Sequence, residues 1–86
     1  MEDKQMIIRN KTDIDLMVNH NYLYPNKEHQ TPEYAFNTVY VLSHYGSVEI
    51  TTEYSERSFM NYGNLYGEEC EDIDDQGLKV IEIHKV

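Results

Sequence analysis

TVYVLSHYGSVEITTEY, residues 38–54, consists of two runs of alternating β-branched and aromatic residues that meet at His44-Tyr45-Gly46-Ser47. This is how an antiparallel hairpin reads in sequence. With Tyr45-Gly46 as the two turn residues, Val41 faces Ile50 and Val39 faces Thr52. Val48 lies alongside, so four aliphatic side chains share one face, which is the expected core. The opposite face carries Tyr40, Leu42, Glu49, Thr51 and Glu53, rings and carboxylates that a buried surface does not tolerate unpaired. That face is expected to be wet or held by a partner. A three-residue turn would instead align Tyr40, Leu42, Val48, Ile50 and Tyr54 on the buried side, because a one-residue slip exchanges the faces. The two-residue turn is the preferred register.

Outward from the hairpin, QMIIRN (residues 5–10) reads as a first strand with Met6 and Ile8 on one side and Ile7 on the other. Thr12 has the character of a helix N-cap, followed by Asp13 and Asp15 where the helix dipole favours negative charge. Ile14, Met17, Val18 and Tyr22 form an i, i+3, i+4, i+8 stripe, which predicts a helix from Asp13 to Leu23 that Pro25 ends. PNKEHQTP (25–32) reads as a polar connection. After the hairpin, a short helical turn from Glu56 and a loop are expected, because NYGNLYG (61–67) holds two glycines in seven residues. LKVIEIHKV (78–86) is a closing strand. No internal repeat is present. The predicted fold is α+β: a mostly antiparallel sheet of about four strands with one helix packed on one face.

The chain has 86 residues, one domain (1–86), and buries about 60 to 65% of the surface its unfolded form exposes. That leaves room for one small core and little depth for an enclosed active site. Sixteen acidic against seven basic residues give a net charge of −9. Such a field repels nucleic acid and anionic membrane and speeds encounter with basic proteins. The single Cys70 excludes an internal disulfide, MEDKQMIIRN lacks the apolar run of a signal peptide, and no stretch has membrane-spanning length. A cytoplasmic setting is expected. Asn10-Lys11-Thr12 fits the glycosylation acceptor pattern, which has meaning only in a secreted protein.

Chemistry-bearing patterns are sparse. Cys70 lies between Glu69 and Glu71, whose charge works against the thiolate a nucleophile needs. The four histidines lack the close spacing of zinc ligands. Asp72 to Gly77 overlaps the start of a calcium loop, but its twelfth position is Ile83 where a bidentate glutamate belongs. No phosphate-cradling loop is present. No catalytic residue, cofactor or metal is predicted.

The acidic run EECEDIDD (68–75) has the most to say. Its six carboxylates, Glu68, Glu69, Glu71, Asp72, Asp74 and Asp75, would spread over roughly 23 Å in an extended chain, about one per 4 Å. A DNA strand carries one charge per about 3.4 Å. Glu49 and Glu53 add two charges, and Tyr62 and Tyr66 offer rings to guanidinium groups. These ten residues are the candidate partner-binding site.

The short length, the −9 charge, the EECEDIDD run and the Tyr- and Asn-rich stretches NHNYLY and NYGNLYG together resemble small acidic phage-encoded inhibitors of host defence, the anti-CRISPR and anti-restriction proteins. The resemblance is one of whole-chain character, and it implies a CRISPR effector or another nuclease as partner, blocked without catalysis. The charge alone leaves two other readings open: an immunity protein or antitoxin against a cationic nuclease, and an assembly module pairing through GLKVIEIHKV as an edge strand.

Overall fold

The computed structural model describes residues 4–33, 38–54, 56–73 and 75–86. The strands run in the order β1 (Lys4–Asn10), β2 (Leu16–Val18), β3 (Asn21–Leu23), β4 (Glu28–Glu33), β5 (Thr38–Leu42), β6 (Gly46–Glu53), β7 (Glu56–Gly63), β8 (Leu65–Ile73) and β9 (Lys79–Lys85). They form a four-stranded sheet in the order β4-β1-β9-β8 and a five-stranded sheet in the order β3-β2-β5-β6-β7. Among the described residues there is no helix. The expected α+β architecture is therefore corrected to an all-β one, in which a second sheet covers the core face that a helix was expected to cover. Among the described residues no helix is long and apolar enough to cross a membrane.

The hairpin of residues 38–54 is present with its predicted faces. Val39, Val41, Val48 and Ile50 are buried, whereas Tyr40 and Leu42 are about half exposed. The turn sits one residue earlier than expected, on His44-Tyr45, with Val41 opposite Val48 and Val39 opposite Ile50. Ser43 explains the shift: its hydroxyl accepts the amides of Tyr45 (3.0 Å) and Gly46 (3.2 Å), and its own amide donates to the Gly46 carbonyl at 3.0 Å. Such a hydroxyl stands in for the backbone acceptor of a turn. Gly46 is then required by space, since a Cβ there would lie 2.2 Å from the Tyr62 carbonyl oxygen.

The predicted helix is replaced by the short hairpin β2–β3. Asn19 and His20 both have positive φ (48° and 71°), the type I′ geometry that matches the twist of a two-residue hairpin and cannot occur inside a right-handed helix. Leu16, Val18 and Leu23 enter the core, and Tyr22 is 64% exposed. The operative period is two. Thr12 caps no helix: its amide and hydroxyl donate to the Asn10 side-chain oxygen at 2.8 and 2.6 Å. The Asn10 amide group in turn donates to the carbonyls of Ile14 and Leu23, both at 2.8 Å. Asn10 is fully buried and every valence of its side chain is used, so it fastens the β1–β2 connection to the end of β3. The same burial puts the amide beyond reach of glycosylation in the folded chain.

Three further expectations change. EHQTP (28–32), read as part of a connection, forms with Glu33 the edge strand β4, antiparallel to β1, and Pro32 is tolerated there as it would not be in a central strand. The segment from Glu56, expected as a helical turn and loop, is β7 followed by β8. The closing strand β9 is not an edge: it lies between β1, to which it runs parallel, and β8, to which it runs antiparallel. Its two-sided burial accounts for the buried partners Ile7 and Val80 on the far side from Met6, Ile8, Ile81 and Ile83.

One core joins the sheets. Met6, Ile8, Leu65, Ile81 and Ile83 of the four-stranded sheet meet Leu16, Val18, Leu23, Val39, Val41, Val48 and Ile50 of the other. The two sheets press together at Gly67, where an added Cβ would come within 3.1 Å of Val48 and 3.2 Å of Phe59.

Candidate interaction surface

The register of the five-stranded sheet lays its outward side chains in rows. Tyr22, Met17, Leu42, Ser47 and Tyr62 are successive cross-strand partners and cross all five strands. Beside them run Tyr40, Glu49 and Met60, then Thr38, Thr51 and Ser58, and last Glu53 opposite Glu56. One end of this face is aromatic and thioether, the other acidic. With strands about 4.8 Å apart and rows about 6.8 Å apart, the grid spans roughly 20 by 20 Å. That suits the centre of an interface whose usual size is about 800 Å² per partner.

The face holds no cation among its described residues. Arg9 pairs with Glu28 and Glu82, Arg57 with Glu33 and Glu69, and Lys79 with Glu69, while Lys85, outside these rows, pairs with Asp13 and sets its Nζ 5.2 Å from the centroid of the Tyr45 ring in the β5–β6 turn. Glu53 and Glu56 stand directly opposite each other, and like charges so placed repel. Neither forms an ion pair with a described residue. Tyr62 is held against Glu49: burial, and then the charge and hydrogen bond of that carboxylate, raise its phenol above the ordinary value. Tyr40, Met60, Tyr62 and Tyr22 are 49, 57, 45 and 64% exposed, an unusual density of large apolar groups for a solvated sheet face.

At the aromatic end the face deepens into a cleft of about 410 Å³, walled by Asp15, Met17, Tyr22, Leu42, Ser43 and His44. Tyr22, which lines it, stacks on Tyr24 with centroids 6.4 Å apart and planes at 12°.

The ten predicted site residues divide. Glu49, Glu53 and Tyr62 share the face of the five-stranded sheet. Tyr66 and Glu68 lie on the outer face of the other sheet, where the Tyr66 ring stacks on His84 at 5.2 Å. Glu68 and Glu82, opposite each other on β8 and β9, both contact His84 Nε2, at 3.1 and 3.2 Å. Glu69 is taken up by Arg57 (2.8 Å) and Lys79 (3.8 Å). Glu71 is exposed near the end of β8, and Asp75 is exposed in the turn before β9. Asp72 lies in β8, and Asp74 lies outside the described residues. Six of the eight residues of the acidic run, 68–73, thus lie in β8, and the charge of Glu69 is neutralised within the molecule.

Sequence spacing missed the trio Glu68, Glu82 and His84, whose donor atoms lie within 4.8 Å of one another. They come together through a cross-strand pair far apart in the chain. The imidazole already bridges both carboxylates, which accounts for the cluster without an ion. Burial works to raise Glu82, but hydrogen bonds from Arg9, Cys70 and His84 outweigh it and hold the carboxyl below its usual range. Cys70 is shifted the other way: burial and then Glu82 push the thiol up, opposite to an activated nucleophile. Also unforeseen were Tyr22, Met60 and Glu56 as members of the surface that carries Tyr40 and Glu49, visible only once β2, β3, β5, β6 and β7 are in register.

Comparison with family models, curated proteins and solved structures finds no match for this chain.

Proposed function

We propose that this protein is a small non-catalytic binder of cationic protein surfaces, and that it acts by occupying a basic groove in which a partner holds nucleic acid. The supporting observation is the outer face of the five-stranded sheet, where Glu49, Glu53 and Glu56 stand among exposed Tyr and Met side chains with no cation among the described residues. Carboxylates beside tyrosine rings suit arginine and lysine, which gain charge pairing and a ring face together. The −9 net charge steers encounter over a longer range, and Glu68, Glu71 and Asp75 extend the acidic field to the other sheet. Tyr66 and Glu69 join the proposed surface only in so far as the ring is released from His84 and the carboxylate from Arg57 and Lys79, and Asp72 and Asp74 belong to it by their place in the acidic run.

By the resemblance to small acidic phage inhibitors, the partner is a CRISPR effector or another nuclease. An immunity role against a cationic nuclease toxin uses the same chemistry. In a mobility-shift assay with a nuclease that grips DNA in a basic channel, stoichiometric protein is expected to release the DNA, and raised salt to restore its binding. Undisturbed DNA binding across a set of such nucleases contradicts the proposal.

A further inference from the structure

We infer that the cleft beside Met17 is an anchor pocket for a single arginine side chain of the partner, a reading that rests on the proposed cationic partner and specifies how it is held. Met17 is flanked across the sheet by Tyr22 on one side and Leu42 on the other, giving a floor of thioether and aliphatic surface. Tyr22 is 64% exposed and lies nearly parallel to Tyr24, so one ring face is open to an incoming group. Asp15 stands at the wall, exposed and with no ion pair to a described residue.

A flat guanidinium matches this combination. Its plane stacks on a tyrosine ring, its stem lies along apolar surface, and its fork donates two hydrogen bonds to a carboxylate. An ammonium is a point charge with stronger hydration and gains less from the same walls. A purely apolar side chain would leave Asp15 facing it without a partner, and a second copy of this chain would bring further negative charge against a molecule already at −9. Charge complementarity therefore selects the occupant. The pocket also continues the row that ends at Tyr62, so an anchored arginine leaves the rest of a basic segment lying across Glu49 towards Glu53 and Glu56.

Binding is measured by fluorescence anisotropy with three lysine-rich decapeptides that differ only at a central Arg, Lys or Phe. Wild-type protein is expected to prefer the Arg peptide about fivefold over the Lys peptide, within the range that one stacked and paired cation supplies. Asp15→Asn combined with Tyr22→Ala is expected to bring that ratio to about one while leaving the Lys peptide bound. Glu49→Gln, Glu53→Gln and Glu56→Gln together are expected to weaken all three peptides in parallel and leave the ratio intact. A preference that survives the Asp15 and Tyr22 changes, its absence in the wild type, or equal binding of the Phe peptide overturns the anchor. Failure of the triple glutamate variant to weaken any peptide overturns the broader reading instead. Circular dichroism confirms that each variant is folded.

Discussion

Arg57 on β7 and Glu33 on β4 form an ion pair that ties the two sheets together, with Nε and Nη2 both on Glu33 Oε2 and side chains only 5 and 2% exposed. Glu69 on β8 receives Nη1 at 2.8 Å. The one arginine thus reaches across the end of the core to both edges of the four-stranded sheet. Burial alone would lower the Arg57 pKa, but the hydrogen bonds and charges of the two glutamates outweigh it and raise it. Truncation to Arg57→Met strands a buried carboxylate and is expected to cost about 3 to 5 kcal/mol, whereas Arg57→Met with Glu33→Leu should recover most of the loss. Urea unfolding of the single and double variants checks this; additive losses would show that the pair is not coupled.

Asn10 sits at 0% exposure with both amide protons and both lone pairs engaged. Asn10→Ala removes the partners of the Leu23 carbonyl and the Thr12 amide, while the Thr12 hydroxyl keeps the Ile14 carbonyl at 3.1 Å, and is expected to cost roughly 3 kcal/mol. A change within 0.5 kcal/mol by chemical denaturation would mean that water replaces the side chain.

The hairpin faces invite a paired substitution. Val41 is fully buried and its neighbour Leu42 is 47% exposed. Val41→Asp is expected to unfold the domain, since it buries an unpaired charge, while Leu42→Asp leaves the melting temperature within a few degrees of the wild type. Equal effects would contradict the assigned register.

This hairpin was legible because its β-branched residues alternate strictly and a core must take one side. QMIIRN and LKVIEIHKV were legible instead as short apolar runs, Met6-Ile7-Ile8 and Val80-Ile81, of the kind a strand buried on both faces carries. The β2–β3 hairpin was not, because Asn19-His20 lacks the glycine that marks most type I′ turns, and Met17 and Val18 fit a helical stripe as well as a strand. β4 hid because its inward residues are polar: Thr31 and Glu33, the latter made acceptable only by Arg57 from a strand 24 residues away. Nothing local signals such a pairing. In NYGNLYG the glycines read as loop formers, yet Gly67 is small because the other sheet presses on it. The outer-face positions of Glu49 and Glu53 were legible from the hairpin alternation, whereas Tyr62 was read in a loop, and the contact of Glu68 with His84 and the pairing of Glu69 with Arg57 and Lys79 depend on other strands that the sequence does not announce.

Cys70 and Glu82 should respond to pH in opposite directions. The Glu82 carboxyl is lowered on folding, so its contribution is complete above the free Glu value of about 4.3 and is lost as pH falls through its folded value. The Cys70 thiol is raised, so its contribution is complete below about pH 8.5 and is lost as pH rises through its folded value. Glu82→Gln should flatten the acid limb of the stability profile. Alkylation of Cys70 by iodoacetamide should reach half its limiting rate at a higher pH in the folded protein than in urea. Coincident profiles would contradict the assigned environment.

Glu53 and Glu56 face each other without a described cation between them, a local cost consistent with a surface kept for binding. Glu53→Gln is expected to stabilise the fold by about 0.2 to 1 kcal/mol at low salt, with the gain shrinking as salt is added. A destabilising effect would show that these carboxylates serve the fold itself.

The proposal that the five-stranded face receives a cationic partner is tested most directly by stopped-flow association with an arginine-rich peptide at low salt. The wild type is compared with Glu49→Gln/Glu53→Gln/Glu56→Gln and with Glu68→Gln/Glu71→Gln/Asp75→Asn, which remove equal charge from opposite sheets. The account predicts that the first variant dissociates at least tenfold faster than the second, while both associate more slowly than the wild type by similar factors. Equal dissociation rates, or faster loss from the second variant, would contradict it.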